Sequence, residues 1–443
     1  MGSILIRGGT IVTMDPARPI LEDGWLAIED HHIAALGAGP PPARPAAVTI
    51  EAAGKIVMPG LVNAQLHTRP GRAMGDGLSH IEWHHRYADG YSAGMTPDDA
   101  YAGALLAFGE CLKAGTTCVL PMPVLSGAVG RAAEDIGIRA TIAPHGGDDP
   151  PGAKGLDPLE DTLSLIRAQG DPKGKRVRYW LGFDNLVDCT PEYLDQVRDA
   201  FATYAVGIHT HLNETHGRIA ATRQKFGDLP ARVLEREGFL GPRTVVAHCI
   251  HLEPEEREIL RQTGTHIVHN PVSNMRLGNG AAPIAELLDR GINVCLGTDG
   301  MLSAYKLDHF ETMRIAAMLQ RVTLHDCQVL PPQRLLEMAT VNGARALGLE
   351  AETGSLEVGR RADLIILNAG GLHLTPRARG GHDNLATLLV YSAHGSDVET
   401  VLVDGEIVVK DRKLVRVDEA KVRANAQAAS DRILAGIPAP QPS

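Results

Sequence analysis

Between residues 56 and 299, strand-like segments alternate with helix-length segments, and this pattern limits the fold more than any other feature of the chain. Two of the helix-length segments begin with a threonine cap followed by proline, Thr96-Pro97 and Thr190-Pro191. Eight β-then-α units predict the α/β class and a (β/α)8 TIM barrel. The alternative is a doubly wound open sheet, but no G-x-G-x-x-G follows the first segment. The eight strand-like segments are Ile56–Ala64, Thr116–Met122, Ile138–Ala143, Val177–Phe183, Val206–His211, Thr244–His248, Thr265–His269 and Asn293–Asp299.

Both ends of the chain contain short strands and turns, with Asp404-Gly405 as a candidate hairpin turn and a final helix pattern at 420–434. These segments predict a small discontinuous β-sandwich domain built from both termini. The predicted division assigns residues 1–57 and 351–443 to this domain and residues 58–350 to the barrel. A surface loop is expected at 40–45 and a loose tail at 438–443.

Composition excludes several classes of function. The formal net charge of −10 argues against nucleic-acid binding, which needs a basic face. No apolar run is long enough to span a membrane, and the first residues read as a strand rather than a secretory leader. The six cysteines have no paired spacing, which favours free thiols in a reducing cytoplasm over disulfides.

The segment Gly207–His216, with sequence GIHTHLNETH, places His211 and Glu214 three residues apart at the end of the fifth predicted strand. A neutral imidazole is a good zinc or iron ligand, and a nearby carboxylate can move protons to and from an activated water. Taken alone, the pair is equally compatible with a buried histidine beside a helix-capping glutamate.

Three further strand ends carry matching groups: His67 after the first strand, His248 at the sixth and Asp299 at the eighth. In a barrel, the carboxyl ends of the strands meet at one mouth. Each residue alone has a structural explanation, such as a core histidine for His248 or a tight turn at Asp299. Their joint placement favours a site for one divalent cation.

These motifs resemble the amidohydrolase superfamily over nearly the whole chain. The resemblance is greatest to the branch of aminated-heterocycle hydrolases that contains adenosylhomocysteine deaminase, guanine deaminase and the s-triazine hydrolases. It rests on six stretches of sequence, which are MPGLVNAQLH at 58–67, HLNET at 211–215, AHC at 247–249, HNPVSNMR at 269–276, LGTDG at 296–300 and GRRADLI at 359–365.

The resemblance implies that His67, His211 and Asp299 hold one divalent metal ion, with zinc as the first choice and iron, cobalt or manganese as alternatives. It implies that Glu214 carries protons between the water and the substrate. It also implies that His248 stabilises charge in the tetrahedral adduct and that Asp299 takes the proton of the water. The implied reaction is attack of metal-activated water on an sp² carbon that bears an amino group.

Two residues depart from the family pattern. The usual His-x-His motif reads Gln65-Leu66-His67, so Gln65 is expected either to give its amide oxygen to the metal or to orient the water, with His248 helping to hold the metal. After the fourth strand, where many relatives carry a histidine, this chain has Asp184. A carboxylate only accepts hydrogen bonds, so Asp184 is expected to bind N–H groups of the substrate, with a loop cap as the alternative.

The loop after the first strand and the loop after the seventh supply two further candidates for substrate binding. Trp83 could stack on a flat ring. Arg276 could contact an anionic or carbonyl edge, or be a surface charge. The adjacent His84 and His85 are expected to diverge on a helix, which favours a solvated face over a second metal site.

Three hypotheses follow. The first is a metal-dependent deaminase of a small nitrogen-rich heterocycle or amidine. The second is an enzyme that removes another leaving group, such as chloride or an alkylamine, from a similar ring. The third is a metal-poor relative that binds ligands without turnover, which only Gln65 favours. The expected partner is a small-molecule substrate, and the chain is expected to form a homo-oligomer.

Overall fold

The computed structural model describes residues 2–42, 46–150 and 155–438, so the predicted loop at 40–45 and the predicted tail at 438–443 extend outside the described residues. In chain order the strands are β1 (Ile4–Val12), β2 (Ile20–Glu29), β3 (His32–Gly37), β4 (Val48–Glu51), β5 (Lys55–Pro59), β6 (Leu61–Leu66), β7 (Thr116–Pro121), β8 (Arg139–Ile142), β9 (Val177–Tyr179), β10 (Leu181–Gly182), β11 (Ile208–Leu212), β12 (Thr244–His248), β13 (His266–His269), β14 (Val294–Leu296), β15 (Leu364–Asn368), β16 (Val398–Val403), β17 (Glu406–Lys410) and β18 (Lys413–Leu414).

The two predicted threonine caps are both made. The Thr96 side chain accepts a hydrogen bond from the Asp99 amide at the start of α3, and Thr190 accepts one from the Tyr193 amide at the start of α6. A π-helical turn at His84–Ala88 joins α1 to α2. The α-helices are α1 (His80–Trp83), α2 (Asp89–Gly94), α3 (Pro97–Lys113), α4 (Ser126–Ile136), α5 (Leu159–Gln169), α6 (Pro191–Thr203), α7 (His216–Phe226), α8 (Pro230–Arg236), α9 (Pro254–Thr263), α10 (Pro271–Arg276), α11 (Ile284–Asp289), α12 (Met301–Ala304), α13 (His309–Leu324), α14 (Pro332–Met338), α15 (Val341–Ala346), α16 (Leu385–Tyr391) and α17 (Glu419–Leu434).

The predicted barrel is confirmed. Strands β6 to β9 pair in parallel, and so do β10 to β14. Strands β9 and β10 together form the fourth barrel strand, interrupted at Trp180, whose amide donates to the Ile142 carbonyl. At the other edge, the Asp299 amide donates to the Gln65 carbonyl at 3.0 Å, which connects the end of β14 to β6.

The prediction of a single first strand over Ile56–Ala64 is wrong. Strand β5 ends at Pro59 and pairs with β1 and β15 outside the barrel, whereas β6 begins at Leu61 inside it. The two strands read as one run because both are buried, and periodicity cannot show a change of sheet. Gly60 separates them, and a Cβ there would lie 2.0 Å from the Thr117 hydroxyl oxygen.

The remaining strands form one nine-stranded sheet in the described part of the chain, in the order β18-β17-β16-β15-β5-β1-β2-β3 with β4 on β1. The sheet therefore combines strands from both termini, as predicted. It has its own apolar core, to which Ile6 and Leu26 contribute from one end and Ile366 and Leu402 from the other. The predicted hairpin turn at Asp404-Gly405 joins β16 to β17, and both residues have positive φ.

A buried charge cluster joins this sheet to the barrel. Arg139 of β8 is fully buried, and its guanidinium makes two hydrogen bonds to the Asp363 carboxylate at 2.6 and 3.0 Å. The same guanidinium lies 3.3 Å from Asp404 in the β16–β17 turn. Because buried charges are costly unless paired, this cluster fixes the sheet against the bottom of the barrel strand.

All six cysteines are free, as predicted; five are buried and Cys327 is exposed. In the described residues, no helix combines the length and the apolar character needed to cross a bilayer.

The Arg139 cluster predicts a large effect on stability. Arg139→Met should lower the free energy of unfolding by about 3–5 kcal/mol, because it leaves Asp363 buried without its partner. The matched control is Arg167→Met, whose partner Glu160 is exposed, and which should change stability by less than about 1 kcal/mol. Urea unfolding followed by circular dichroism measures both, and equal losses in the two variants would contradict this role for the cluster.

Candidate active site

The predicted site residues meet at the carboxyl ends of the barrel strands. One cavity there is lined by seven of them, which are His67, Trp83, Asp184, His211, Glu214, His248 and Asp299. Gln65 is fully buried and contacts both His67 and His211, so it shares their face of the barrel mouth as the two-residue strand period predicts. Arg276 is not among the residues that line the cavity.

Unusual backbone at two strand ends brings these side chains inward. His248 ends β12 with φ of +76°, and Asp299 follows β14 with φ of +63°. Non-glycine residues rarely adopt this left-handed conformation, and such residues concentrate at functional sites. Gly300 permits close packing here, because a Cβ at that position would lie 2.9 Å from the His67 Cβ.

Two imidazoles are oriented as metal ligands usually are. The Nδ1 of His67 lies 2.9 Å from the Met122 carbonyl, and the Nδ1 of His211 lies 2.8 Å from the Asp184 carbonyl. In both rings Nδ1–H is therefore the donor, and Nε2, which faces the mouth, is the nitrogen that can bind a metal once it carries no proton.

The spacing of the candidate ligands fits a zinc-sized cation. The amide nitrogen position of Gln65 lies 3.2 Å from His67 Nε2 and 2.9 Å from His211 Nε2, and Asp299 Oδ1 lies 3.6 Å from His67 Nε2. With zinc–nitrogen bonds of about 2.0–2.1 Å, the edge of a tetrahedral site is about 3.3–3.4 Å. Within the described residues, histidine, cysteine, aspartate and glutamate alone do not form a group of three or more that could hold a metal. A metal site at this point would therefore need a further ligand, and Gln65 contacts both imidazoles.

Glu214 is held at the cavity by neighbours from α1 and from the loop after α10. The Asn279 amide donates to Glu214 Oε1 at 3.0 Å, and His80 Nδ1 lies 2.8 Å from Asn279 Oδ1. His248 Nε2 lies 3.9 Å from the same Glu214 oxygen, while its Nδ1 contacts Asn274. Burial raises the pKa of Glu214, but the surrounding His248, His80 and His211 outweigh it and lower the pKa below its usual value.

The Asp184 carboxylate lies close to two imidazoles and one guanidinium. Its Oδ1 is 3.0 Å from His211 Nδ1 and 3.3 Å from His145 Nδ1, and Arg218 approaches Oδ2 at 3.8 Å. Burial opposes ionisation, but His145 and His211 outweigh it and hold the pKa of Asp184 well below its ordinary value. Burial also lowers the pKa of His211, yet Asp184 reverses the effect and raises it to about 9. Asp184 therefore lines the cavity with much of its accepting capacity already used.

Trp83 and Arg276 form a stacked pair beside the cavity. Trp83 is buried and donates its indole N–H to the Met74 carbonyl at 3.1 Å. Arg276 donates to the same carbonyl at 2.7 Å, and its guanidinium lies 5.4 Å from the Trp83 ring and 5.2 Å from the Tyr305 ring. Arg276 thus supports the ring that faces the cavity.

Several residues in or beside the site were missed by sequence reasoning. His145 lies three residues after the third barrel strand, β8, so the strand-end rule that selected His248 could have found it. His209 is two residues before His211 on β11, so the two-residue period could have placed it in the barrel interior. His80, Arg69 and Arg218 reach the cavity from loops and helices, where no local pattern signals it. Of the adjacent pair expected on a solvated face, His84 lines the cavity and His85 is exposed.

Two curated relatives match the chain along its length. A 5'-deoxyadenosine deaminase of Methanosarcina mazei is 37% identical over 445 residues, covering 99% of this chain and 100% of that protein. A 5-methylthioadenosine/S-adenosylhomocysteine deaminase of Syntrophomonas wolfei is 37% identical over 439 residues, covering 97% and 99%.

Two solved structures share the fold. A zinc-bound adenosine deaminase from Xanthomonas campestris superposes with a TM-score of 0.89 at 28% identity, covering 98% of each chain. The zinc complex of atrazine chlorohydrolase from Arthrobacter aurescens gives 0.88 at 28% identity, covering 96% of this chain and 99% of that one. The model of the amidohydrolase family matches residues 56–408, which contain every candidate site residue described above. The chain belongs to the amidohydrolase family.

Proposed function

We propose that this enzyme hydrolytically deaminates adenosine-type nucleosides whose 5' position is modified. The observation that carries the proposal is the placement of Glu214, 3.9 Å from His248, in the same cavity as His67, His211 and Asp299. The similarity in length and sequence to deaminases of 5'-deoxyadenosine and of 5-methylthioadenosine supports the substrate class.

The residues that would hold one divalent ion, with zinc the first choice, are Gln65, His67, His211 and Asp299. When bound, such an ion lowers the pKa of water towards neutrality and so supplies a nucleophile. Asp184 holds His211 in place through Nδ1, which is the usual role of a carboxylate behind a ligating histidine.

The remaining groups handle protons and orientation. Glu214, ionised at the start, accepts a proton from the attacking water and delivers it to a ring nitrogen. As the tetrahedral adduct collapses to the carbonyl, the second proton of the water passes from Asp299 by way of Glu214 to the amino group, which leaves as ammonia. His248, whose Nε2 faces the cavity, stabilises charge on the adduct, and Asp299 takes the second proton of the water. Trp83 stacks on the base and Arg276 supports Trp83, while Asp184 can accept from substrate N–H groups with its remaining capacity.

A second candidate reaction is displacement of another leaving group from a similar ring, such as chloride or an alkylamine. The similarity to atrazine chlorohydrolase supports it. Only the group attached to the attacked carbon differs, so the same residues would serve. A ligand-binding role without turnover is disfavoured, because it has no use for Glu214 beside a water-activating site.

We further propose a cytoplasmic homo-oligomer that binds neither nucleic acid nor membranes, with the division into residues 1–57, 58–350 and 351–443 kept as above. Six free thiols support a reducing compartment, and the net charge of −10 disfavours nucleic acid. Exposed Met318 and Val322 on α13 support self-association, which light scattering would measure.

Release of ammonia and of chloride across a panel of substrates tests the function. The panel contains 5'-deoxyadenosine, 5'-methylthioadenosine, adenosine, guanine, an aminopterin and chlorinated and aminated triazines. We expect the first two to give the highest kcat/KM, with one metal ion per chain by elemental analysis. Highest turnover on a chlorinated triazine, with chloride released, would favour the second reaction, and no turnover of any compound at saturating zinc, iron, cobalt or manganese would overturn the proposal.

The role of Glu214 is tested by Glu214→Gln. We expect the variant to keep its metal content and melting temperature and to lose about 10²-fold or more in kcat, because an amide cannot carry the proton. Glu258→Gln is the matched control, since Glu258 lies on the surface and pairs with Arg261 and Gln262 of α9, and it should retain full activity. Normal turnover by Glu214→Gln would remove Glu214 from the mechanism.

A further inference from the structure

Gln65 lies between three imidazoles in the barrel interior. On one side, its amide nitrogen position contacts His67 Nε2 at 3.2 Å and His211 Nε2 at 2.9 Å. On the other side, its amide oxygen position lies 2.5 Å from His209 Nε2. The two ends of a terminal amide have the same shape but opposite polarity, and a half-turn exchanges them, so the surrounding hydrogen bonds decide which end faces which ring.

The hydrogen bonds of His209 restrict that choice. His209 Nδ1 lies 2.9 Å from the Val245 carbonyl oxygen, which can only accept, so Nδ1 must carry a proton. An uncharged imidazole has a single N–H, and its Nε2 is then an acceptor. If the amide oxygen faced this Nε2, two acceptors would point their lone pairs at each other. An amide N–H₂ in the same place would donate a hydrogen bond to Nε2.

A doubly protonated His209 would also fit the distances, but its surroundings oppose the charge. The side chain is fully buried on β11, and its ring lies 6.3 Å from the ring of His211. Among the described residues, no carboxylate forms an ion pair with His209. A buried charge without a counter-charge is strongly disfavoured, so the uncharged ring is the form that this site accommodates.

We propose that His209 is a positioning residue that turns the Gln65 amide so that its N–H₂ donates to His209 and its oxygen faces His67 and His211. This inference rests on the proposed function, because it concerns the metal. Three lone pairs, from Gln65 Oε1 and the two Nε2 atoms, then meet without a proton between them, beside the Asp299 carboxylate. Such an arrangement favours the binding of a cation at this point.

The opposite orientation would give a different site. With its N–H₂ towards His67 and His211, Gln65 would donate to both Nε2 atoms and close the ligand set into a hydrogen-bond network that excludes a cation. The geometry therefore makes His209 the residue that keeps the site open for metal. It compensates for the missing second histidine of the first strand by fixing the polarity of a weak ligand.

A double-mutant cycle tests the positioning role of His209. Zinc affinity is measured for each variant by competition against a chelator. His209→Phe should lower zinc affinity by about 10-fold or more, the scale for residues that orient ligands. In a Gln65→Glu background the same substitution should change affinity by less than about 2-fold, because the two oxygens of a carboxylate are equivalent and need no orientation. His309→Phe, at another fully buried histidine, is the matched control and should leave affinity unchanged.

Equal losses from His209→Phe in both backgrounds, or no loss in either, would overturn the proposal. A second measurement uses the natural protein without metal, so it depends neither on zinc binding nor on whether the variants fold. In the metal-free protein with ¹⁵N-labelled histidine, NMR should find His209 protonated at Nδ1 and bare at Nε2. The reverse tautomer would overturn the assignment. If the natural protein binds no zinc at all, the proposed function fails, and the tautomer measurement alone decides the polarity of Gln65.

Discussion

The candidate site depends on the contact between Gln65 and the Nε2 atoms of His67 and His211. These three groups come from the end of β6 and from β11, two barrel strands that are not neighbours, and they meet at the mouth of the barrel. Asp299 completes the set, and its amide hydrogen bond to the Gln65 carbonyl ties the end of β14 to the same strand. The hydrogen bond that links the end of β14 to β6 therefore also brings Asp299 to the other candidate ligands.

Around this contact, each ligand has a partner that fixes its direction. Asp184 holds His211, the Met122 carbonyl holds His67, and His209 lies against Gln65. Glu214 is held by a different pair of neighbours, Asn279 and His80. Because Glu214 and the candidate ligands are held by different residues, a substitution at Glu214 is expected to leave the ligands in place.

Sequence patterns predicted the parts of the molecule that follow from local periodicity and strand ends. The barrel, the capped helices at Thr96 and Thr190 and the convergence of His67 with His211 were all accessible, because each depends on a short segment and one general rule. The split at Gly60 was not, since two buried strands of different sheets read as one apolar run. His80 could not be found either, because it lies on α1, in the long connection after the first barrel strand. It contacts Asn279, which is far away in sequence.

The central claim is that Gln65, His67, His211 and Asp299 surround one metal ion in the active protein. X-ray diffraction from crystals of active protein, recorded above and below the zinc absorption edge, locates such an ion directly. The account predicts a single anomalous peak bounded by these four side chains. A peak at another group of residues, or no peak in crystals that turn over substrate, would contradict it.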